Sequence, residues 1–447
     1  MPIPVVASYT SNAEAFRNGT DSPRDFLERC IDRYNEWEPQ IKAFVHVDLE
    51  AARKASDAST QRWRSQKPLS PIDGMPVGIK DIIETANLPT EQGSPLFIGW
   101  QSVRDSATVA ALREAGAVVV GKTVTTEFAA TEPGPTRNPW DLARTPGGSS
   151  SGSAAAVAAG IVSAALGTQV IGSIIRPAGY CGCYGYKTSL GGINRGGQFD
   201  YLSQSCAGVL AATLEELWIV AREMSSRVGG DPGFPGLSGP KTAASAKKPN
   251  ALAVLRTAGF NSLSSDAAEQ FEKAVAALKR AGIRVMSQDD SNAIALVEKA
   301  IHDAGQLSRS INAWESRWPL NTYARDMNRA GLSAAMQKRL IEAEAMTLEQ
   351  NQAWLEERES ARTIYARLSA DFDACITLTA PGGAPLGIAS TGDPIFAIPA
   401  SLLGTPAAAL PLLQADGLPL GLQVLGFRDR DFDMFATAAW LRDALKA

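Results

Sequence analysis

Two stretches whose single charge is Arg176 are rich in groups able to do chemistry. The first, TPGGSSSGSAAAVAAG at residues 145–160, crowds Ser149, Ser150, Ser151 and Ser153 among glycines. The second, GTQVIGSIIRPAG at residues 167–179, carries one further serine, Ser173, shortly before Arg176. A flexible Gly/Ser linker would not run straight into the alanine-rich, strongly helix-forming residues 154–159. A serine loop feeding a buried helix fits better, and it sets hydroxyls and backbone N–H groups beside a helix N-terminus, where an anion or a developing oxyanion is favoured. A phosphate loop requires G-x-x-x-x-G-K-[ST]; Gly147 and Gly152 have that spacing, but Ser153 stands where the lysine belongs, so nucleotide binding is set aside. What remains is a serine-based catalytic loop, which needs a base for the hydroxyl proton and donors for the oxyanion.

Histidine is scarce in this chain. There are two, His46 within a predicted strand and His302 on a predicted helix, and neither lies in a Gly-rich turn or near a second metal-type ligand. A Ser-His-Asp hydrolase is therefore disfavoured. Zinc fares no better, because Cys181 and Cys183 are separated by a single residue and no histidine pair accompanies them; they read as buried thiols. Metal is expected to be absent, and lysine becomes the natural base.

These residues need a large scaffold. The 447 residues have 45% hydrophobic and 20% charged side chains, which excludes a disordered or disulfide-scaffold protein. Lys plus Arg at 43 against Asp plus Glu at 47 leaves a net charge of −4, with no basic excess for phosphate backbones or anionic lipid. Nucleic acid and membrane are not expected partners. Five cysteines, Cys30, Cys181, Cys183, Cys206 and Cys375, are few and odd in number, which indicates thiols in a reducing compartment, the cytoplasm. The N-terminus has no secretory pattern. Residues 147–175 are uncharged and long enough on paper to span a bilayer, but their glycines, Thr168, Gln169 and Ser173 predict a buried helix followed by a buried turn.

Periodicity predicts an N-terminal helical layer over 1–70, with Phe26, Leu27, Cys30, Ile31 and Tyr34 on one face of a helix at 21–37. Short apolar runs then alternate with helical ones: PVGIK at 76–80, a helix at 107–116, AVVVGK at 117–122, ALAVL at 251–255, a helix ending near Gly282, and IRVM at 283–286. Residues 336–368 read as almost continuously helical, and CITLTAP, AAALPL and GLQVLG return to strands. The Gly-, Pro- and Ser-rich residues 225–250 predict a surface connection. The expected fold class is α/β: a large mixed, mostly parallel sheet covered by helices on both faces, in one catalytic domain at 71–447 with a helical insertion at about 290–370.

Over most of its length the chain resembles the amidase signature hydrolases. PVGIKD carries Lys80, GGSSSGSAAAVAAG carries Ser149 and GTQVIGSIIRPAGYCG carries Ser173, in the family's order; GKTVTTEF at 121–128, RNPWD at 137–141 and GLPLGLQVLG at 417–426 match as well. The resemblance implies an amidohydrolase that cleaves the C–N bond of a small amide, or of a carbamate (urethane), without a cofactor. It implies Ser173 as the acylated nucleophile, Ser149 as a bridging serine after a cis peptide, and Lys80 as general base. A lysine is useful as a base at neutral pH only if desolvated enough to lose its proton, and the small uncharged residues of 147–175 would supply that environment. The oxyanion donors implied are the backbone N–H groups of Val170, Ile171, Gly172 and Ser173.

The SIIRPA segment is similar to the malonamidase branch, where an arginine contacts a substrate carboxylate. Arg176 either does this or braces the site. Gly148, Phe199 and Tyr201 complete the expected substrate-binding set, with the wall drawn from 198–206 and 314–336, including Trp314 and Trp318. Many relatives carry G-T-D-x-G-G-S where this chain has Gln169 for Asp and Ile171 for Gly, which puts loop shape and nearby polarity in question. Two other readings stay open: an amidotransferase component that releases ammonia from glutamine for a partner, and a non-catalytic binding protein on the same scaffold. The expected partner is a small amide or carbamate, and a homodimer is compatible.

Overall fold

Short apolar runs that are buried from end to end become the strands of one sheet. The computed structural model describes residues 3–446. Its strands are β1 (Phe44–Val47), β2 (Pro76–Lys80), β3 (Val118–Thr123), β4 (Ala164–Gln169), β5 (Tyr184–Lys187), β6 (Cys206–Ala211), β7 (Ala251–Val254), β8 (Arg284–Met286), β9 (Ala374–Leu378), β10 (Ala407–Ala415) and β11 (Leu418–Leu425). They form an 11-stranded sheet in the order β1-β3-β2-β4-β6-β5-β10-β11-β9-β7-β8.

The sheet is mixed, as expected, but the expected parallel majority is corrected. Parallel pairing is confined to β3–β2–β4 and to β9–β7–β8. The β1–β3 pair, and every pair from β4 through β6, β5, β10 and β11 to β9, is antiparallel. One cause is visible at the β10–β11 turn, where Asp416 and Gly417 both have positive φ (54° and 74°), the geometry of a two-residue hairpin. Alternating helices and strands in a sequence suggest crossovers and conceal such reversals.

Successive strand residues divide between two cores, so both faces are covered. Val119, Leu252, Val254, Ile376 and Leu378 belong to one core, which also holds Val109, Trp218, Phe271 and Phe435 from helices Ala107–Glu114, Leu214–Val228, Ser265–Arg280 and Asp431–Lys446. Val118, Val120, Ala251, Ala253 and Cys375 face the other, beside Leu27, Ile31, Ile311 and Tyr365 from helices Pro23–Ile41, Ala304–Thr322 and Leu348–Ala366. That second face also receives helix Ser151–Ala158, whose residues are all buried. Small side chains let this helix lie close to the sheet edge: a Cβ on Gly152 would fall 2.1 Å from Ala43 O and 2.4 Å from Val124 N. The uncharged residues 147–175 thus become a buried helix, the buried strand β4 and the turn after it. Among the described residues no helix is long and apolar enough to cross a membrane.

Three expectations need adjustment. His302 lies in a turn between helices Asn292–Ala300 and Ala304–Thr322, not on a helix. Residues 336–368 divide into helices Ala334–Glu344 and Leu348–Ala366, the second started by a capping box between Thr347 and Gln350. Helices Pro23–Ile41 and Leu49–Arg64 flank β1, so the N-terminal layer also supplies an edge strand of the main sheet.

Candidate active site

Lys80 is the last residue of β2 and is wholly buried. Its Nζ donates to Ser149 Oγ at 2.7 Å and to Thr168 Oγ1 at 3.0 Å. Both partners are neutral, and no carboxylate forms an ion pair with Lys80 among the described residues. Burial brings its pKa down to about 7, with the Asp200 charge partly opposing the shift. The next residue, Asp81, is tied elsewhere: its Oδ1 meets Lys122 Nζ at 3.1 Å, both side chains being fully buried. Lys122 also donates to Thr90 Oγ1 at 2.6 Å, which fixes the loop that leaves β2.

The parallel register of β2 on β4 sets Ile79 opposite Leu166, so the end of β2 runs alongside Gly167 and Thr168. The loop after β4 then carries Ser173, which is 9% exposed and lines a cavity of about 370 Å³. The peptide bond between Gly148 and Ser149 is cis. Ser150 N donates to Ser173 O at 3.2 Å, tying the two serine loops together. Among the described residues no hydrogen bond joins the Ser149 and Ser173 hydroxyls, so the lysine–serine contact is made and the serine–serine contact is not.

Val170, Ile171, Gly172 and Ser173 all line the cavity. Their N–H groups donate to no acceptor among the described residues. A Cβ on Gly172 would approach Pro394 Cβ to 2.9 Å and Ala397 Cβ to 3.1 Å, so the loop is held closely from behind. Gln169, one of the departures from the family pattern, braces this loop. Its Oε1 accepts from Ile174 N at 2.9 Å and Ile175 N at 3.0 Å, capping helix Ile175–Cys181. Its Nε2 donates to Ser401 Oγ at 3.1 Å, and Ser401 Oγ donates in turn to Ile171 O at 2.9 Å.

Arg176 is buried and lines the same cavity. Its guanidinium donates to Gly148 O at 2.7 Å, Gly392 O at 2.9 Å and Thr391 Oγ1 at 2.9 Å, while Nε has no partner. Burial brings its pKa down to about 10. Gly148 lies behind the cavity wall and offers its carbonyl to Arg176. Phe199 and Tyr201 line the cavity, and so do Trp318 of helix Ala304–Thr322 and Met336 of helix Ala334–Glu344. Trp314 does not; the Arg317 guanidinium lies 4.0 Å from its ring centre. Phe199 belongs to an aromatic cluster in which Trp100–Phe199, Phe97–Tyr323 and Phe128–Tyr323 are 5.2, 5.2 and 5.3 Å apart. Thr168, Thr391 and the lining residue Asn312 lie outside the site expected from the sequence, and Asp200 falls within the expected wall at 198–206 without having been singled out.

The comparison with protein families places the chain in a class, the hydrolases of amide C–N bonds. The family profile for Amidase matches residues 25–434, and the chain belongs to that family, the amidase signature hydrolases. It is 32% identical over 454 residues to a glutamyl-tRNA(Gln) amidotransferase subunit of Chloroflexus aggregans, across 92% of this chain and 90% of that one. A crystal structure of an amidase superimposes with a TM-score of 0.84 at 26% identity, covering 98% of this chain and 99% of the other. The peptide amidase PAM, in complex with the competitive inhibitor chymostatin, gives 0.81 at 25% identity over 99% and 98%.

Proposed function

We propose that the protein hydrolyses a small amide, or a related carbamate, through an acyl-enzyme on Ser173. The observation that carries this reading is the buried Lys80 amine, 2.7 Å from Ser149 Oγ and without a carboxylate partner. A neutral Lys80 takes the Ser149 proton as Ser149 takes that of Ser173, and Ser173 Oγ bonds to the substrate carbonyl carbon. The carbonyl oxygen becomes an oxyanion beside the unused N–H groups of residues 170–173. Collapse breaks the C–N bond, and the proton held on Lys80 returns by way of Ser149 to the leaving nitrogen. Water then enters and gives up a proton along the same path as its oxygen bonds to the acyl carbon; the bond to Ser173 Oγ breaks as that proton returns through Ser149 to Ser173, releasing the acid. The Ser149–Ser173 hydrogen bond has to form for this transfer, and such bonds often tighten only when substrate is present.

The aromatic wall suits an aryl or apolar group next to the scissile bond. Arg176 serves this site chiefly by holding the Gly148 carbonyl and the loop at 391–392; its free Nε is the atom left to meet a substrate carboxylate. Cytoplasmic thiols fit the reading, since all five cysteines are buried and unpaired. Ser173→Ala should abolish turnover with the fold retained by circular dichroism, and full activity in that variant would refute the assignment.

The relatedness to an amidotransferase component favours a second reading, release of ammonia from glutamine for a partner protein. It requires a stable heteromeric complex and little activity alone. A purified single chain that turns over simple amides excludes it.

A further inference from the structure

The cavity in front of Ser173 holds polar groups for which the hydrolytic scheme has no use. Asp200 is 6% exposed and lines the cavity, yet neither carboxyl oxygen has a hydrogen-bond partner in the protein. Its main chain is pinned, with Arg195 Nη1 donating to the carbonyls of Asp200 at 3.3 Å and Leu202 at 3.2 Å. The nearby cations are committed elsewhere. Arg195 Nε pairs with Asp231 at 2.7 Å, and Arg339 donates to Ser316 Oγ and to Asn312 O, each at 2.9 Å. A buried carboxyl group without donors is costly, so its place in a cavity wall calls for a donor from outside the chain.

Asn312 has the complementary vacancy. It is 1% exposed and lines the same cavity; its Oδ1 accepts from Gln204 Nε2 at 3.3 Å, while Nδ2 has no partner. The wall therefore offers unused acceptors and an unused donor. A secondary amide, with N–H and C=O joined in one planar group, satisfies both. Carbamates and ureas present the same pair. An ammonium would satisfy Asp200 alone and would face the cations Arg176 and Arg339, whereas a carboxylate would be repelled by Asp200.

We propose that Asp200 and Asn312 form a subsite for a second amide-like group of the substrate, N–H to Asp200 and carbonyl to Asn312. The preferred substrates then carry two amide or carbamate units, one cleaved at Ser173 and one held here. The inference rests on the amidase reading above.

The test uses substrates that share one scissile amide and differ at a second position: a distal secondary amide, the matching ester, the matching alkane and a protonated amine. On the intact enzyme, kcat/KM for the amide should exceed that for the ester by about tenfold or more, the usual cost of leaving a polar site unpaired. Asp200→Ala should bring the ratio close to one, Asp200→Asn should keep part of it through its remaining acceptor oxygen, and Asn312→Ala should erase the preference for ester over alkane. Because each ratio compares two substrates on one protein, a general loss of activity cancels. The same series is titrated against the Ser173→Ala enzyme, where Kd values need no turnover. An amide preference in Kd supports the subsite even if hydrolysis fails, and failure of the amidase reading appears separately as retained activity in Ser173→Ala. Equal Kd and equal kcat/KM across the series, or a preference for the amine, overturns the proposal. Should Asp200→Ala not fold, the near-isosteric Asp200→Asn carries the test.

Discussion

Replacing Lys80 with methionine separates the base from the space that it fills, and it makes a prediction about stability as well as rate. Burial takes the Lys80 pKa from its ordinary 10.5 to about 7. The unfolded chain therefore holds this proton up to about pH 10.5, while the folded one releases it near 7. Between those limits the unfolded state binds more protons, so raising the pH favours the folded state. The contribution is present in full above about pH 10.5 and is lost as the pH falls to about 7. A gap of about 3.5 pH units at about 1.4 kcal/mol each corresponds to something on the order of 5 kcal/mol. Methionine does not titrate, so Lys80→Met should lack this dependence. It also deprives Ser149 Oγ and Thr168 Oγ1 of their partner, a pH-independent cost of about 1–3 kcal/mol for each group left unpaired. The discriminating quantity is therefore the slope of the difference. In urea unfolding between pH 7 and 9.5, the native protein should gain on Lys80→Met by about 1.4 kcal/mol per pH unit, roughly 3 kcal/mol over the range. The kcat/KM of the native enzyme should rise over an acid limb centred near pH 7. Parallel stability curves would mean that Lys80 keeps its proton when folded, and a permanently charged ammonium cannot serve as the base.

Two further substitutions examine the shell around the serines. Arg176→Ala frees the carbonyls of Gly148 and Gly392 and should lower kcat/KM on acidic and neutral amides alike, with about 2–3 kcal/mol of stability lost; a loss confined to acidic substrates, measured across a substrate panel, would show instead that the arginine reads charge. Gln169→Leu removes the acceptor shared by Ile174 N and Ile175 N, and should reduce kcat by about tenfold to a hundredfold with KM little changed; an unaltered kcat would mean that the oxyanion loop holds its shape without this brace.

What the sequence disclosed was local, and what it withheld was long-range. Val77 and Ile79, Val118 to Val120 and Ala251 to Val254 are apolar runs short enough to be strands, and each became one. The serine loop at 145–160 stood out because hydroxyls cluster with glycines in uncharged sequence, whereas Ser149 and Ser173 were singled out by the resemblance to the family's motifs. Pairing direction left no such mark, since it depends on which strands meet and not on what each contains. That Arg176 is hydrogen-bonded within the chain became visible only once Gly392, 216 residues away, was seen to accept from it. The role of Gln169 likewise depends on Ser401, 232 residues distant. Asp200 and Asn312 are ordinary polar residues in the sequence, and their significance comes entirely from the partners they lack once buried.

Gln169 also bears on why the lysine can give up its proton. Strand β4 brings Thr168 against Lys80 through both its carbonyl and its hydroxyl, while the next side chain, Gln169, turns to the opposite face of the strand and is itself wholly buried. An ionised carboxylate there would favour the ammonium form, because attraction between opposite charges is poorly screened where water is excluded. An amide provides the same capping oxygen to Ile174 and Ile175 without that charge, and its nitrogen adds the link through Ser401 to Ile171. One neutral side chain thus shapes the oxyanion loop while leaving burial as the dominant influence on Lys80. The departure from the family pattern is consequently compatible with the proposed lysine base, and the charge that opposes the fall in the Lys80 pKa is that of the buried Asp200.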